Sequence, residues 1–190
     1  LAALVGMVIV GGIRRIAGVT SRLVPGMCLL YFFSALFIIL SNIDQIPSVI
    51  ALVWSQAFNG DAIYGGVLGI MVTGITRAAF SNEAGIGSAA IAHSAAKTEE
   101  AAREGFVAMI GPFIDTIIIC TMTAMVVLLT GAYQDPSLQG KGATMTAVAF
   151  SAVIPGAQYV LAIVICLFAY STMISWEYYG ERAWEYLFGQ

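Results

Sequence analysis

Charged residues are scarce in this sequence. Only 10% of its 190 residues are Asp, Glu, Lys or Arg, whereas 59% are hydrophobic, and the mean hydropathy is +0.89. A soluble domain has roughly 25% charged and 45–50% apolar residues, so this balance argues against a soluble fold and indicates an integral membrane protein. The chain also lacks a cluster of basic residues, which argues against nucleic-acid binding.

Cysteine and histidine are also rare. The three cysteines, Cys28, Cys120 and Cys166, lie far apart in apolar runs. Their spacing shows neither a disulfide framework nor a metal site, and small buried side chains are the expected role. The single histidine, His93, is expected at a surface or a helix cap rather than as a pH switch.

Long apolar runs, by contrast, fill the chain. A helix that crosses a bilayer needs about 20 largely apolar residues, and no alternation typical of membrane β-strands is visible. The first run has no initiator Met and no basic region, so it is interpreted as the cut end of a span. We predict an all-α integral membrane protein, a single transmembrane domain over residues 1–190, with five membrane segments at 1–13, 23–42, 62–96, 105–131 and 158–176.

Lys and Arg residues lie unevenly between these segments. Lys141 stands alone in the second and fourth connections, whereas six basic residues follow the first, third and fifth segments: Arg14, Arg15, Arg22, Lys97, Arg103 and Arg182. Cytoplasmic loops carry an excess of Lys and Arg. The loops at 14–22 and 93–104 and the C-terminal tail are therefore predicted to be cytoplasmic. The aromatic residues from Tyr178 onward are typical of an interfacial belt.

The second and fourth connections contain two apolar stretches, 46–58 and 144–153, that are too short to cross a bilayer. Each is predicted to form a short helix. Two interpretations stay open: a lid over the external entrance of a transporter, or a helix that rests on the protein surface.

The third segment, 62–96, is rich in glycine and contains Arg77 and Glu83. Small residues allow close helix packing in lipid, but glycine-rich spans with polar interruptions also mark broken helices that bind substrate and ion. Ionisable groups in membranes are usually functional and paired, which favours a broken helix. We expect Arg77 and Glu83 to form a gate or structural ion pair. Asp115, in the fourth segment, is expected to join this pair, to relay protons or to make a structural hydrogen bond.

Three stretches resemble the alanine/glycine:cation symporter family, the sodium:alanine symporters of the LeuT-type APC superfamily. They occur in the family's order and cover nearly the whole chain: TRAAFSNEAGIGSAAIAHSAAKT, REGFVAMIGPFIDTIIICTMTAMVVLLTG and LFAYSTMISWEYYGERAWEYLFG. The resemblance, closest to a subgroup with RAAFSNEAG, implies an interior fragment of a LeuT-type inverted-repeat transporter. The segments would then be the end of core helix four, helix five, broken helix six, and helices seven and eight.

The resemblance also implies a function. It predicts import of alanine or glycine driven by a sodium gradient, by alternating access, in a bacterial inner membrane. No enzymatic activity and no cofactor are expected, and sodium is the only metal ion. The expected partners are the amino acid, the sodium ion, membrane lipid and the remainder of the polypeptide.

The break in the third segment is placed by counting. A span that starts near Ala62 reaches the midplane about 10 residues later at 1.5 Å per residue. This favours a substrate-facing break around residues 73–77, with the Ser-Asn-Glu-Ala-Gly motif as part of an inner gate, although breaks at 69–74 and 80–87 both fit the glycine pattern. Thr73, Gly74 and Phe80 are the residues of this segment expected to bind substrate.

The fifth segment carries the consecutive hydroxyls of Ser171 and Thr172. Sodium is a hard cation that prefers oxygen ligands, but such hydroxyls also bond back to their own helix. The resemblance favours sodium ligation, because LeuT-type symporters place a hydroxyl pair on helix eight. Trp176 lies four residues after Thr172, on the same helix face. Thr172 and Trp176 are therefore also expected to contact the substrate, with Trp176 limiting its size.

Three other functions fit parts of the sequence. A proton-coupled amino-acid carrier is the main alternative. An intramembrane enzyme that uses Glu83, His93 and Asp115 is weaker, since no Ser/His pairing or metal spacing is evident. A channel would need rings of charges or carbonyls, usually from several subunits, and a single glycine-rich break does not provide them.

Overall fold

A computed structural model of the protein describes residues 2–58, 71–72, 74–75 and 87–189. Every regular element in these ranges is helical, which confirms the all-α prediction for this part of the chain. A π-helical stretch, Phe113–Cys120, joins α5 to α6. The α-helices are α1 (Ala2–Ile9), α2 (Gly12–Ser41), α3 (Ile46–Ala57), α4 (Ala89–His93), α5 (Ala101–Pro112), α6 (Thr121–Leu129), α7 (Gly142–Ser151) and α8 (Ala157–Phe188).

Three helical stretches are long and apolar enough to cross a membrane: Gly12–Ser41, Ala101–Leu129 and Ala157–Phe188. They correspond to the second, fourth and fifth predicted segments. In their most apolar windows only 22%, 11% and 28% of the residues are buried, so most of this apolar surface faces outward, as in segments that lie in a bilayer. The short helix α1 covers the first predicted segment, and most of the third lies outside the described residues. The count of five stays a prediction.

The predicted loop at 14–22 is wrong, because these residues are helical. The helix α2 begins at Gly12 and continues for 30 residues, so its first turns carry Arg14, Arg15 and Arg22. The chain turns at Gly12 instead, where φ is +65°, a left-handed conformation that glycine adopts at little cost. The basic residues thus indicate where the apolar part of α2 starts, not where the helix starts.

The predicted tail after residue 176 is helical as well. The helix α8 continues past Trp176 to Phe188. Tyr178 and Tyr179 are each only 6% exposed, whereas Trp184 and Tyr186 are exposed. An interfacial belt therefore fits the second pair, and the first pair belongs to the interior.

The helices α2 and α8 pack along each other in opposite directions. At one end, Ile16 of α2 shares a buried cluster with Ile174 of α8. At the other end, Ile38 of α2 shares a second cluster with Leu161 of α8. Because the residue numbers rise along one helix as they fall along the other, the pair is antiparallel.

The second cluster also includes α6 and α7. Val126 of α6 and Phe150 of α7 are almost fully buried in it, and the Phe150 ring lies 5.4 Å from that of Tyr31 on α2. The Tyr31 hydroxyl lies 2.5 Å from Thr123 Oγ1. Since the Thr123 hydroxyl donates to the Ile119 carbonyl at 2.8 Å, Tyr31 donates to Thr123. One hydrogen bond therefore joins α2 to α6.

Two short helices, α3 and α7, coincide with the predicted stretches 46–58 and 144–153. The turn before α7 is fixed by Asp135, whose Oδ1 accepts the Ser137 backbone N–H at 2.9 Å. Hydrogen bonds from Ser137 lower the pKa of the Asp135 carboxyl below its ordinary value. A lid function for α3 and α7 stays a prediction.

The α2–α6 hydrogen bond can be tested by a double-mutant cycle. We expect Tyr31→Phe to lower the free energy of unfolding by about 0.6 kcal/mol, a typical value for a hydrogen bond between membrane helices. Thr123→Val should add little in the Tyr31→Phe background, because the bond is already lost. Unfolding in mixed micelles measures the four variants. Tyr159→Phe, which removes an exposed hydroxyl, is the control and should have no effect. Additive losses from the two substitutions would contradict the bond.

Candidate functional site

The predicted site residues of the third segment are mostly beyond the described ranges. Thr73, Arg77, Phe80 and Glu83 all lie outside the described residues, as do the predicted break and the Arg77–Glu83 pair. Gly74 lies in a short helical stretch, and a Cβ placed on it meets no described atom within 4 Å. Its role in substrate binding therefore stays a prediction.

Three oxygen atoms lie at one turn of α8: the two hydroxyls of the predicted pair and one backbone carbonyl. The hydroxyls of Ser171 and Thr172 each donate to the carbonyl oxygen of Phe168, both at 2.9 Å. This is the back-bonding that the sequence left open as one of two alternatives. A hydroxyl that donates its only hydrogen still has lone pairs. The arrangement therefore keeps both hydroxyl oxygens chemically able to bind a cation.

The two hydroxyls differ in their surroundings. Ser171 is 8% exposed and lies on the packed side of α8, beside the buried Ile174. Thr172 is exposed, and Trp176 on the same face is 46% exposed. The Trp176 ring meets Tyr179 edge-on, with 6.0 Å between ring centroids. The packed interior thus supports Trp176 through Tyr179, while Thr172 and Trp176 share an open face.

Asp115 lies in the π-helical stretch, where it is half-buried. Short π-helical segments are rare and are frequent at functional sites. The apolar run over 105–131 predicts a regular helix, so the π-helical stretch is a difference from that prediction. A signal was present in Pro112, the last residue of α5, because proline has no backbone N–H to continue the α-helical pattern. The proposed roles of Asp115 stay predictions.

A second polar contact joins α4 to α5. The Nδ1 atom of His93 lies 2.6 Å from Glu104 Oε1, and both residues line a cavity of about 620 Å³. The side chains are 35% and 23% exposed. The two residues lie on different helices, and no spacing rule predicts a contact of this kind. The sequence therefore did not indicate this pair.

Three membrane-length apolar helices in one chain define a multi-pass membrane protein. The model of the sodium:alanine symporter family matches residues 1–190, and the chain belongs to this family. The predicted family is thus confirmed. Members of this family are transporters rather than enzymes. No solved structure matches the chain.

Similar proteins come from bacteria and archaea. The chain is 45% identical, over 98% of its length, to an uncharacterized transporter of Haemophilus influenzae, and covers 42% of that protein. It is 41% identical over its whole length to the sodium/alanine symporter AgcS of Methanococcus maripaludis, also covering 42%. A probable sodium/glutamine symporter, GlnT of Bacillus subtilis, is 41% identical over 95% of the chain, which covers 38% of it. The chain therefore spans less than half the length of these relatives.

The His93–Glu104 contact leads to a prediction. Glu104→Ala should loosen α4 from α5, because it removes a partly exposed polar contact to a carboxylate, which we expect to contribute about 0.2–1 kcal/mol. Amide hydrogen exchange in α4 should then be about one and a half- to fivefold faster in the full-length protein. Glu99→Ala is the matched control, since Glu99 lines the same cavity. Equal exchange rates in the two variants would exclude a docking role for the pair.

Proposed function

We propose that the full-length protein is a secondary active symporter that imports a small neutral amino acid, alanine or glycine, with a sodium gradient as the driving force. The observation that carries this proposal is the family match over residues 1–190. The name of the AgcS relative, a sodium/alanine symporter, supports sodium coupling and alanine. The name of GlnT points to a larger substrate in that relative. The family match therefore supports amino-acid symport, and the choice of alanine or glycine is proposed in addition.

We also propose a fold for the chain and its orientation in the membrane. We place the chain in a LeuT-type inverted-repeat transporter as five membrane segments, with the third one broken, in the inner membrane of a cell. The three membrane-length helices support this placement. Residues 14–22 and 93–104 and the end of α8 would face the cytoplasm. In alternating access, a broken helix supplies free backbone ends near the midplane, where they bind substrate and ion.

The sodium site is proposed at the hydroxyl pair of α8. Sodium prefers oxygen ligands, and Ser171 and Thr172 present two hydroxyl oxygens beside the Phe168 carbonyl. These ligands are neutral, so an empty site would leave no buried negative charge in the bilayer. The remaining ligands would come from other parts of the full-length protein.

The substrate site is proposed beside this ion. Thr73, Gly74 and Phe80 would contact the amino acid from the broken segment, and Arg77, Glu83 and Asp115 would form the gate or a structural ion pair. A contact with one additional methylene changes binding by only about 1–3 kcal/mol. Strict selection of a small side chain therefore needs a wall, and Trp176 on the open face of α8 is the proposed wall.

The ion site is tested by Thr172→Val, which keeps the side-chain shape and removes the oxygen. In proteoliposomes, alanine uptake by the full-length protein should require a sodium gradient. The variant should need about tenfold more sodium for half-maximal uptake, the change expected when one favourable polar contact is lost. Alanine affinity at saturating sodium should change much less.

Thr130→Val is the matched control. The Thr130 hydroxyl donates to the carbonyl four residues earlier, at 2.8 Å, as that of Thr172 does. The same substitution therefore removes the same kind of bond outside α8. Equal sodium dependence in the two variants would remove Thr172 from the ion site. Uptake that follows a proton gradient and ignores sodium would favour the proton-coupled alternative.

The substrate wall is tested by Trp176→Ala. Removal of the ring should enlarge the pocket, so that valine begins to compete with labelled alanine while sodium dependence stays near normal. Trp184→Ala is the control, because Trp184 is an exposed tryptophan of the same helix that stacks on Phe188 at 4.3 Å. A Trp176→Ala protein that still rejects valine would show that another residue sets the size limit.

A further inference from the structure

Three residues of α8 form one line along the helix: Thr172, Trp176 and Tyr179. Residues three and four apart are neighbours on a helix surface, so the three side chains start from the same side of α8. Thr172 and Trp176 are exposed, whereas Tyr179 is only 6% exposed. The line is therefore open at the proposed ion and substrate contacts and covered at Tyr179.

Tyr179 belongs to the buried cluster that joins α8 to its neighbours. In this cluster Val8 comes from α1 and Ile16 from α2, and Ile91 of α4 packs against it. Side chains in a close-packed interior have little room to change orientation. Tyr179 is therefore held in place by packing, beside a tryptophan that is not.

The ring of Tyr179 contacts the ring of Trp176. The two centroids are 6.0 Å apart and the planes are inclined at 69°, an edge-on arrangement that aromatic pairs prefer. Side chains on a helix lean towards its N-terminus, over the residues three and four positions before them. Tyr179 thus leans towards Trp176 and supports it from the side opposite Thr172.

A wall that selects a substrate by size has to stay in place. Trp176 is 46% exposed, and its side chain has several staggered rotamers to choose from. A change of rotamer would carry the indole ring away from the space beside Thr172. Precise recognition therefore needs a second residue, itself fixed by packing, that holds the first one.

We propose that Tyr179 is a positioning residue for substrate selection. Its buried ring fixes the orientation of Trp176 that limits the substrate to a small side chain. This inference rests on the proposed function, in which Trp176 is the wall. Tyr179 acts through Trp176 and makes no contact with the amino acid. Size selection then depends on the packing of α1 and α2 against α8 as well as on α8 itself.

The experiment measures selectivity in the full-length protein in proteoliposomes, at saturating sodium. The selectivity ratio is the inhibition constant of valine divided by the KM for alanine. Both constants come from the same preparation, so the ratio does not depend on how many transporters are folded. A loss of stability alone lowers the maximal rate of uptake and leaves the ratio unchanged.

Tyr179→Leu removes the ring and keeps apolar volume in the interior. The selectivity ratio should fall about two- to tenfold, the range that corresponds to the strength of an aromatic pair. Y179F keeps the ring and should keep the ratio of the parent. In the W176A background, Y179L should change the ratio by less than about twofold, because the side chain through which Tyr179 acts is absent.

Tyr178→Leu is the matched control. Tyr178 is also 6% exposed and belongs to the same cluster, so its loss disturbs the interior in a similar way. It lies two residues from Trp176, and residues two apart on a helix do not face each other. Y178L should therefore change the selectivity ratio by less than about twofold. Because the Tyr178 ring lies 6.4 Å from that of Tyr179, an equal fall in Y178L and Y179L would indicate general loosening and overturn the proposal.

Three further results would overturn it. The first is an unchanged ratio in Y179L when W176A lowers the ratio. The second is an equal fall in Y179F and Y179L, which would assign the effect to the hydroxyl instead of the ring. The third is an effect of Y179L that is as large in the W176A background as in the parent. If Y179L does not fold, Y179M gives the same comparisons, because a methionine fills the gap left by the ring.

Failure of the proposed function has a different result. The parent would then show no sodium-driven uptake of alanine, or W176A would leave the selectivity ratio unchanged. Either result would refute the wall, and the role of Tyr179 with it. A lower ratio in W176A together with an unchanged ratio in Y179L would refute the role of Tyr179 alone.

Discussion

The antiparallel packing of α2 against α8 is the contact on which the rest of the described structure depends. Both buried clusters contain residues of these two helices. Lipid gives no hydrophobic reason for apolar helices to associate, so close packing has to hold them together. The buried alanines Ala35, Ala149 and Ala157 fit this requirement, because small side chains let helices approach. The remaining helices of the two clusters attach to this pair.

This packing divides α8 into two functional sides. Ile174 and Tyr178 are buried, so one side is part of the scaffold. Thr172 and Trp176 lie on the other side and are exposed. A helix that is fixed along one side holds the opposite side in a defined orientation. The proposed ion and substrate contacts therefore lie on a rigid element, which precise recognition needs.

Much of the fold could be predicted from apolar length alone, because the bilayer sets how long a spanning helix must be. The helical structure of residues 14–22 could not be predicted in this way, because basic residues indicate the membrane boundary whereas a helix can continue past it. The Tyr31–Thr123 and His93–Glu104 contacts join distant residues, and no periodicity encodes them. At the site, the sequence located the hydroxyl pair, but only the structure shows that both hydroxyls share the Phe168 carbonyl.

The length of α2 has a mechanical consequence. Thirty residues at 1.5 Å each make a rod of about 45 Å, longer than the hydrocarbon core of about 30 Å. Its partner α8 has 32 residues and is attached to it near both ends. Part of each helix therefore lies outside the hydrocarbon. Pro25 lies inside α2 and removes one of its backbone hydrogen bonds, so a force on the turns that carry Arg14, Arg15 and Arg22 would bend α2 at this point before it moved the far end near α7.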